Sequence, residues 1–198
     1  MASILAVCTG NVCRSPLAEG FLRVALDARS AGTPIDVTSA GTMGWDGSGA
    51  DPLSVRAGTE RGIDISSHIA RVTTPKGLRD AALVVGMASE HVEIVTRQVP
   101  AVAERSFTLK ELVRLLEALP APAPGEPEAL LMTRVSQADA LRRSGFEGDP
   151  HDEDIADPLG MPLEAFRGVA AELDEWCVRL ADGLLGRAPA RTSTSNED

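Results

Sequence analysis

A cysteine and an arginine six residues apart stand near the amino terminus of this chain. Cys8 and Arg14 enclose Thr9, Gly10, Asn11, Val12 and Cys13. An apolar run over residues 3–7 predicts a strand before them, and a stretch with helical periodicity follows them. Backbone N–H groups at a helix N-terminus point outward unpaired, so a loop there can bind an oxyanion and favour a reactive thiolate. The planar Arg14 guanidinium can donate to two phosphate oxygens. One loop therefore combines a nucleophile with an anion cradle.

The same residues allow a structural interpretation. A buried cysteine followed by an ordinary helix cap is common, and Ser15 followed by Pro16 is favourable capping sequence. The context favours the functional interpretation, because Gly10 and Asn11 tolerate a positive φ inside a tight loop. On this pattern we expect the first helix to begin at Pro16 with Ser15 as its cap.

The loop resembles that of the low-molecular-weight protein tyrosine phosphatases, which has the pattern C-x-G-N-x-C-R-S-P. Every specified position is matched between Cys8 and Pro16. Further matches are spread along the chain, at Ser39-Ala40-Gly41-Thr42, Trp45, Gly62-Ile63-Asp64, His68-x-Ala70-Arg71, Met87 and Asp157-Pro158. The resemblance implies that Cys8 is the nucleophile and that Arg14 and the loop residues between them bind phosphate.

Two departures from the family pattern stand out. A long insertion lies between about Leu119 and Glu153, and Leu159-Gly160 occupies positions where many members carry tyrosines. The chain contains no tyrosine. Regulation by phosphorylation of tyrosines after the Asp-Pro pair, known in some relatives, therefore does not occur here.

Hydrolysis of a phosphate ester also needs a proton donor for the departing oxygen. Three Asp-Pro pairs supply candidates. Asp51 is predicted to cap a helix, and Asp149 lies in a strongly polar stretch. Asp157 follows Ile155 and an alanine and directly precedes the final helix, which predicts an ordered loop with partly apolar surroundings. Asp157 is the predicted general acid, and the resemblance implies the same residue.

The resemblance also implies supporting roles. Ser15 would donate its hydroxyl to the Cys8 thiolate, and Asn11 would be held by Ser39 and His68. For His68 the alternative is an ordinary core or surface histidine, and for Ser15 it is the helix cap.

Trp45 lies in the glycine-rich stretch 41–49. Such a loop buries a large ring poorly, so Trp45 is predicted to form a wall of the substrate mouth that stacks on an aryl phosphate, with core filler as the alternative. Cys13 matches the second cysteine of the family loop. One hypothesis is that it captures oxidised Cys8 as a protective disulfide, and the alternative is a small buried side chain.

The remaining pattern predicts an α/β fold with an open, doubly wound, four-stranded parallel sheet and helices on both faces. Predicted strands cover residues 4–7, 35–39, 82–86 and about 105–107. Predicted helices run from Pro16 to about Ala28, from Pro52 toward Arg61, from Pro75 toward Asp80, from near Ala88, over 109–119, over 128–143 and from about Leu163 to Leu184. Asp51 and Thr74, each directly before a proline, are the predicted caps of the second and third of these helices. In such a sheet ligands gather at the carboxyl ends of the strands, where Cys8 lies.

Length predicts a single domain over residues 1–185, and the resemblance implies that it is a phosphatase domain. Segment 119–153 is the predicted insertion: a proline-rich linker over 120–127, a surface helix over 128–143 and an acidic loop. Residues 186–198 are predicted to be a disordered tail.

Composition excludes several classes of function. A net charge of −10 argues against nucleic-acid partners. No apolar stretch has membrane-spanning length, and nothing resembles a signal peptide. An odd number of cysteines, three, suits a reducing, cytoplasmic location. Three widely spaced histidines make a metal site improbable, so no metal and no cofactor is predicted, and a monomer is the default.

The predicted function is that of a phosphomonoester hydrolase acting through a cysteinyl-phosphate intermediate. The expected substrate is a phosphotyrosine protein or a small aryl phosphate. Two alternatives stay open. One is an arsenate reductase on the same scaffold that uses an external thiol, since residues 87–107 contain no resolving cysteine. The other is a catalytically weak module that binds phosphoproteins.

Overall fold

Four parallel strands form one sheet in the computed structural model, which describes residues 2–30, 33–146 and 153–188. The strands are β1 (Ser3–Cys8), β2 (Asp36–Gly41), β3 (Leu83–Gly86) and β4 (Ser106–Thr108), in the spatial order β2-β1-β3-β4. Cys8 pairs in register with Gly41 at the carboxyl end of the sheet. The predicted four-stranded parallel sheet is confirmed.

The helices are α1 (Arg14–Asp27), α2 (Pro52–Thr59), α3 (Pro75–Asp80), α4 (Ser89–Gln98), α5 (Leu109–Glu117), α6 (Pro127–Arg143) and α7 (Leu163–Leu185), with a 3-10 helix over Pro100–Arg105. Side chains of β1 alternate between two apolar layers, because successive residues of a strand point to opposite faces. Ile4 and Ala6 join the larger core with α1, α5 and α7. Leu5 and Val7 join the smaller core with α3 and α4. Helices therefore cover both faces, as predicted.

Two of the predicted helix caps are confirmed. The Asp51 carboxylate accepts a hydrogen bond from the backbone N–H of Leu53 at 2.8 Å, and the Thr74 hydroxyl accepts one from Gly77 at 3.0 Å. In both cases proline occupies the first turn, where its missing N–H costs nothing.

The predicted start of the first helix is wrong by two residues. Helix α1 begins at Arg14 with Cys13 in the cap position, so Pro16 is its third residue. Ser15 is not the cap, because its hydroxyl faces the Cys8 thiol instead of a backbone N–H. Residues 9–13, which join β1 to α1 and are called the anion loop below, therefore set the helix start by their conformation.

Helix α6 differs from the predicted surface helix in that one of its faces is buried. Leu131, Val135 and Ala138 recur at steps of four and three residues and lie in the main core. Arg134 is 4% exposed and donates to backbone carbonyls of Leu116, Pro120 and Gly183 at 2.8–3.1 Å. This face attaches the segment to α5 and α7.

Replacing Arg134 with methionine is expected to lower the free energy of unfolding by about 3 kcal/mol, because three carbonyls lose a charged donor. Urea denaturation monitored by circular dichroism measures the change. Arg97→Met is the control, since the Arg97 side chain is 74% exposed and, within the described part of the chain, its one ion pair, with Glu93, spans 3.9 Å. Equal losses in the two variants would contradict a role for the buried contacts.

Residues 147–152, which include Asp149, and residues 189–198 lie outside the described part of the chain. The predictions of an acidic loop and a disordered tail fall largely on these residues. Among the helices that the structure describes, none combines the length and apolar character needed to cross a membrane. Within the same ranges, histidine, cysteine and carboxylate side chains form no cluster suited to a metal ion.

Candidate active site

A small cavity opens at the carboxyl end of β1, over the loop that joins it to α1. Cys8 is the last residue of β1 and Arg14 is the first of α1, so loop residues 9–13 have both functional side chains at their ends. The cavity has a volume of about 50 Å³ and is lined by Cys8, Thr9, Gly10, Val12, Cys13, Arg14, Trp45, Asp157 and Leu159. The structure thus brings the three predicted catalytic residues to one place.

The Cys8 sulfur has two close polar neighbours. Ser15 Oγ lies 3.0 Å from Cys8 Sγ, and the backbone N–H of Asn11 donates to the sulfur at 3.3 Å. The Asn11 side-chain amide donates to Ser15 Oγ at 2.9 Å, so the serine proton can point to the Cys8 sulfur, which is nearer than its other acceptor, the Ala40 carbonyl at 3.5 Å. Both neighbours can therefore donate to the sulfur that is the predicted nucleophile.

Asn11 shapes the loop from its centre. It is the only described residue other than glycine with a positive φ, 56°. Its amide also donates to Ser39 Oγ, and its side-chain oxygen accepts from the Arg71 backbone N–H, both at 2.9 Å. His68 Nε2 donates to the Asn11 carbonyl at 2.8 Å. Ser39 and His68 thus lie where the resemblance implied, against Asn11.

A pair of substitutions at Asn11 separates hydrogen bonding from backbone strain. Asn11→Gly and Asn11→Ala both remove the buried amide bonds, so each is expected to lower unfolding free energy by about 2–4 kcal/mol. Alanine is expected to cost about 1 kcal/mol more, because a Cβ disfavours the left-handed region. Chemical denaturation measures both values, and a glycine variant less stable than the alanine variant would contradict this account.

Two glycines allow the close packing around the loop. A Cβ on Gly41 would lie 2.7 Å from the Thr9 carbonyl oxygen, so β2 can approach the loop only with glycine there. A Cβ on Gly10 would lie 3.0 Å from the Trp45 ring. Trp45 thus packs against the loop while staying 46% exposed at the edge of the cavity. This position matches the predicted wall of the mouth.

The Arg14 guanidinium is buried and held on several sides. Nη1 donates to the Ile155 carbonyl at 3.2 Å, and Nη2 donates to Thr9 Oγ1 at 3.2 Å and to Asp157 Oδ2 at 2.5 Å. Arg14 is 4% exposed, and its buried Nε finds no partner within the described residues. A phosphate oxygen in the cavity would satisfy this donor.

The surroundings of Asp157 are more polar than the sequence predicted. Its side chain is 43% exposed and pairs with Arg14, and its second carboxylate oxygen accepts from the Leu159 backbone N–H at 3.1 Å. Ile155 is buried but contributes its backbone to the site. The apolar neighbours in sequence therefore anchor the segment rather than surround the carboxylate.

Contacts with α4, with α5 and with Met87, which follows β3, hold the segment before Asp157. The Asp154 carboxylate accepts from the backbone N–H and hydroxyl of Ser89, at the start of α4, at 2.7 and 2.9 Å. The Ile155 N–H donates to the Met87 carbonyl at 2.7 Å. Lys110 Nζ donates to the Asp154 carbonyl at 3.1 Å. The candidate acid thus lies on an ordered segment, as predicted.

Lys110 and His91 are site-supporting residues that the sequence analysis missed. Lys110 is 2% exposed and forms an ion pair with Glu172 at 2.7 Å. His91 is fully buried, and its Nε2 lies 3.0 Å from Thr9 Oγ1. Burial, together with the Arg14 charge, lowers the pKa of His91 to about 4. In the sequence each residue lies in an ordinary amphipathic helix, so no local pattern distinguishes it.

Cys13 packs beneath the loop with a free thiol. It is 3% exposed, and burial raises its pKa to about 12, so it is protonated at neutral pH. Its capture of oxidised Cys8 stays a hypothesis. The third cysteine, Cys177 on α7, is fully buried in the main core.

The family model for low molecular weight phosphotyrosine protein phosphatase matches residues 3–130. The chain belongs to this family. The matched range contains the anion loop and all four strands and ends before Asp157. The assignment of Asp157 therefore depends on the contacts described above and on the resemblance.

Relatives of two kinds are similar to this phosphatase family member. A protein-arginine-phosphatase of Bacillus subtilis is 36% identical over 91% of this chain and 95% of its own length. A low molecular weight protein-tyrosine-phosphatase of Escherichia coli is 32% identical over 72% of this chain and 95% of its own. The crystal structure of the low molecular weight protein tyrosine phosphatase from T. tengcongensis matches with a TM-score of 0.68 at 32% identity, covering 93% of this chain and all of that one.

Proposed function

We propose that this protein hydrolyses phosphomonoesters on tyrosine side chains of proteins through a phosphocysteine intermediate. The main support is that one loop has the candidate nucleophile at its start and the candidate phosphate-binding arginine at its end. Cys8 Sγ lies beside two donors, and the buried Arg14 follows at the start of α1, with an Nε that has no partner among the residues the structure describes. A nucleophile and a guanidinium in this relation suit attack on a bound phosphate dianion.

In the first step the Cys8 thiolate attacks phosphorus in line, so an S–P bond forms while the P–O bond to the leaving group breaks. Arg14 and the loop amides stabilise the charge on the non-bridging oxygens. Protonated Asp157 gives its proton to the departing oxygen. Asp157 must leave the Arg14 ion pair for this step, and its 43% exposed side chain has room to turn.

In the second step water attacks the phosphocysteine. Asp157, now ionised, accepts a proton from the water as the new O–P bond forms and the S–P bond breaks. Ser15 stabilises the returning thiolate through its hydroxyl. The positive charge that phosphoryl transfer needs comes from this chain's own guanidinium and amide groups.

The rim of the cavity supports an aryl phosphate as substrate. Trp45 and Leu159 line it and are 46% and 43% exposed, which offers apolar surface to an aromatic ring. Phosphoarginine is a second candidate substrate, favoured by the protein-arginine-phosphatases that align over 91% of this chain. Action in the cytoplasm as a monomer stays a prediction from the sequence.

Initial rates on matched substrates test the proposal. A phosphotyrosine peptide, a phosphoarginine peptide with the same flanking residues and p-nitrophenyl phosphate are compared, with thiol-dependent arsenate reduction measured in parallel. We expect the highest kcat/KM on the phosphotyrosine peptide, and acid quenching should trap phosphate on Cys8.

Trp45→Ala serves as the specificity variant. It should lose more kcat/KM on the phosphotyrosine peptide than on the phosphoarginine peptide, because only the former stacks an aromatic ring. A tenfold preference for phosphoarginine would overturn the substrate assignment. Arsenate reduction without ester hydrolysis would overturn the reaction class, and binding without turnover would indicate a phosphoprotein-binding module.

A further inference from the structure

A buried histidine outside the anion loop connects to its arginine through one hydroxyl group. His91 Nε2 lies 3.0 Å from Thr9 Oγ1, and Arg14 Nη2 donates to the same oxygen at 3.2 Å. We propose that His91 is a positioning residue that holds the Arg14 guanidinium in its phosphate-binding orientation through Thr9. This inference rests on the proposed function of the same site.

The hydrogen-bond inventory of Thr9 supports this role. A hydroxyl oxygen can accept two hydrogen bonds, and here Arg14 supplies one of them. The Glu90 carboxylate lies 3.5 Å from His91 Nε2, which favours the tautomer with its proton on that nitrogen. His91 then donates the second bond, and the Thr9 oxygen is fixed between two N–H groups.

The buried position of His91 keeps the imidazole neutral. Burial and the Arg14 charge lower its pKa to about 4, against the weaker opposing effect of Asp154 and Asp157. A neutral ring can donate to Thr9 without adding a second positive charge near the guanidinium. Its buried Nδ1 has no partner within the described residues, so Nε2 is the only ring nitrogen engaged.

The mechanism explains why Nη2 of Arg14 needs a holder besides Asp157, since the Ile155 carbonyl holds only Nη1. The general acid must break its 2.5 Å contact with Nη2 to reach the leaving group. After that movement, the Thr9 oxygen is the remaining partner of Nη2 among the contacts described here. A freely rotating hydroxyl would hold it poorly, whereas one fixed by His91 keeps its acceptor lone pair on Arg14.

The first turn of α4 provides the rigid support. Ser89 binds the Asp154 carboxylate, and His91, two residues later, contacts Thr9. One helical turn therefore orients both Arg14 and the segment that leads from Asp154 to Asp157. Thr9 and His91 are 82 residues apart in the sequence, so no local motif predicts their contact.

The test compares His91→Leu, His91→Gln, Thr9→Val and the double variant Thr9→Val with His91→Leu. Glutamine retains an N–H donor, and leucine does not. We expect His91→Leu to lower kcat/KM by about 10–50-fold and to weaken inorganic phosphate binding by a similar factor. In His91→Gln, kcat/KM and phosphate affinity should be within about threefold of the wild-type values. In the double variant, both values should lie within about threefold of those of the less active single variant.

Val95→Ala is the matched control, because Val95 is equally buried in α4 and belongs to the smaller core. It should lower the melting temperature while leaving kcat/KM and phosphate affinity within about twofold of wild type. Thermal unfolding of all variants identifies any that do not fold. If His91→Leu does not fold, Thr9→Val is compared with Thr9→Ser, because valine removes the hydroxyl that links His91 to Arg14 and serine retains it.

Calorimetric titration with inorganic phosphate keeps this inference separate from the proposed function. A wild type that binds phosphate but hydrolyses no ester would overturn the function, while the phosphate affinities of the variants would still decide the role of His91. Unchanged phosphate affinity in His91→Leu, no recovery in His91→Gln, or fully multiplicative losses in the double variant would each overturn the inference.

Discussion

Cys8→Ser is expected to abolish turnover, with kcat lower by about 10⁴–10⁶-fold, as for removal of nucleophiles that act within a catalytic unit. The serine hydroxyl stays protonated near neutral pH, so it cannot form the covalent intermediate at a useful rate. Inorganic phosphate should still bind, because Arg14 and the loop amides are unchanged. Stopped-time assays with p-nitrophenyl phosphate and calorimetric titration with phosphate measure the two properties.

Cys177→Ala is the control for a general effect of removing a thiol. Cys177 is fully buried on α7 and is not among the residues that line the cavity. Its replacement by alanine should leave kcat within about twofold of wild type. If Cys8→Ser kept a tenth of the wild-type rate, the thiol could not be the nucleophile.

Removing the candidate acid has the second largest expected effect. Asp157→Ala should lower kcat/KM, which reports the step in which the leaving group departs, by about 10²–10⁴-fold for a phenyl phosphate, whose leaving oxygen must be protonated. The loss should shrink for leaving groups that depart as stable anions. A series of substituted aryl phosphates measures this dependence, and substrate binding should be retained because the anion loop is intact.

This design separates proton donation from the other contact that Asp157 makes. The carboxylate also pairs with Arg14. If Asp157 only positioned Arg14, its removal would reduce kcat/KM by the same factor for every substrate. A uniform loss across the series would therefore contradict the general-acid assignment. Asp46→Ala is the charge-matched control, since Asp46 is exposed on the loop that carries Trp45 and should change kcat by less than about twofold.

Features set by neighbouring residues could be predicted from the sequence. Apolar runs located the strands of the sheet, and Asp or Thr before proline located the starts of α2 and α3. The sequence also placed Cys8 at the carboxyl end of β1, because strand, loop and helix follow one another directly. Position in the parallel sheet then gave the location of the site.

Features that depend on distant contacts could not be predicted in the same way. The start of α1 depends on how Ser15 faces Cys8 across the loop, and local capping preference pointed elsewhere. Lys110 and His91 lie on helices where charged or polar side chains are usually exposed. Lys110 is buried where α5 meets α7 and the segment before Asp157, and His91 is buried where α4 meets Thr9 of the anion loop. The buried face of α6 likewise depends on its partners.

The position of α7 bears on when a newly made chain first becomes active. This helix is the last element described, and its buried side chains, Phe166 and Leu173 among them, complete the main core around α1. A nascent chain still attached to the ribosome at residue 160 would already contain every proposed catalytic group yet would lack this layer. We therefore expect such stalled fragments to be unfolded and inactive, so that catalysis begins only once synthesis has passed the final helix.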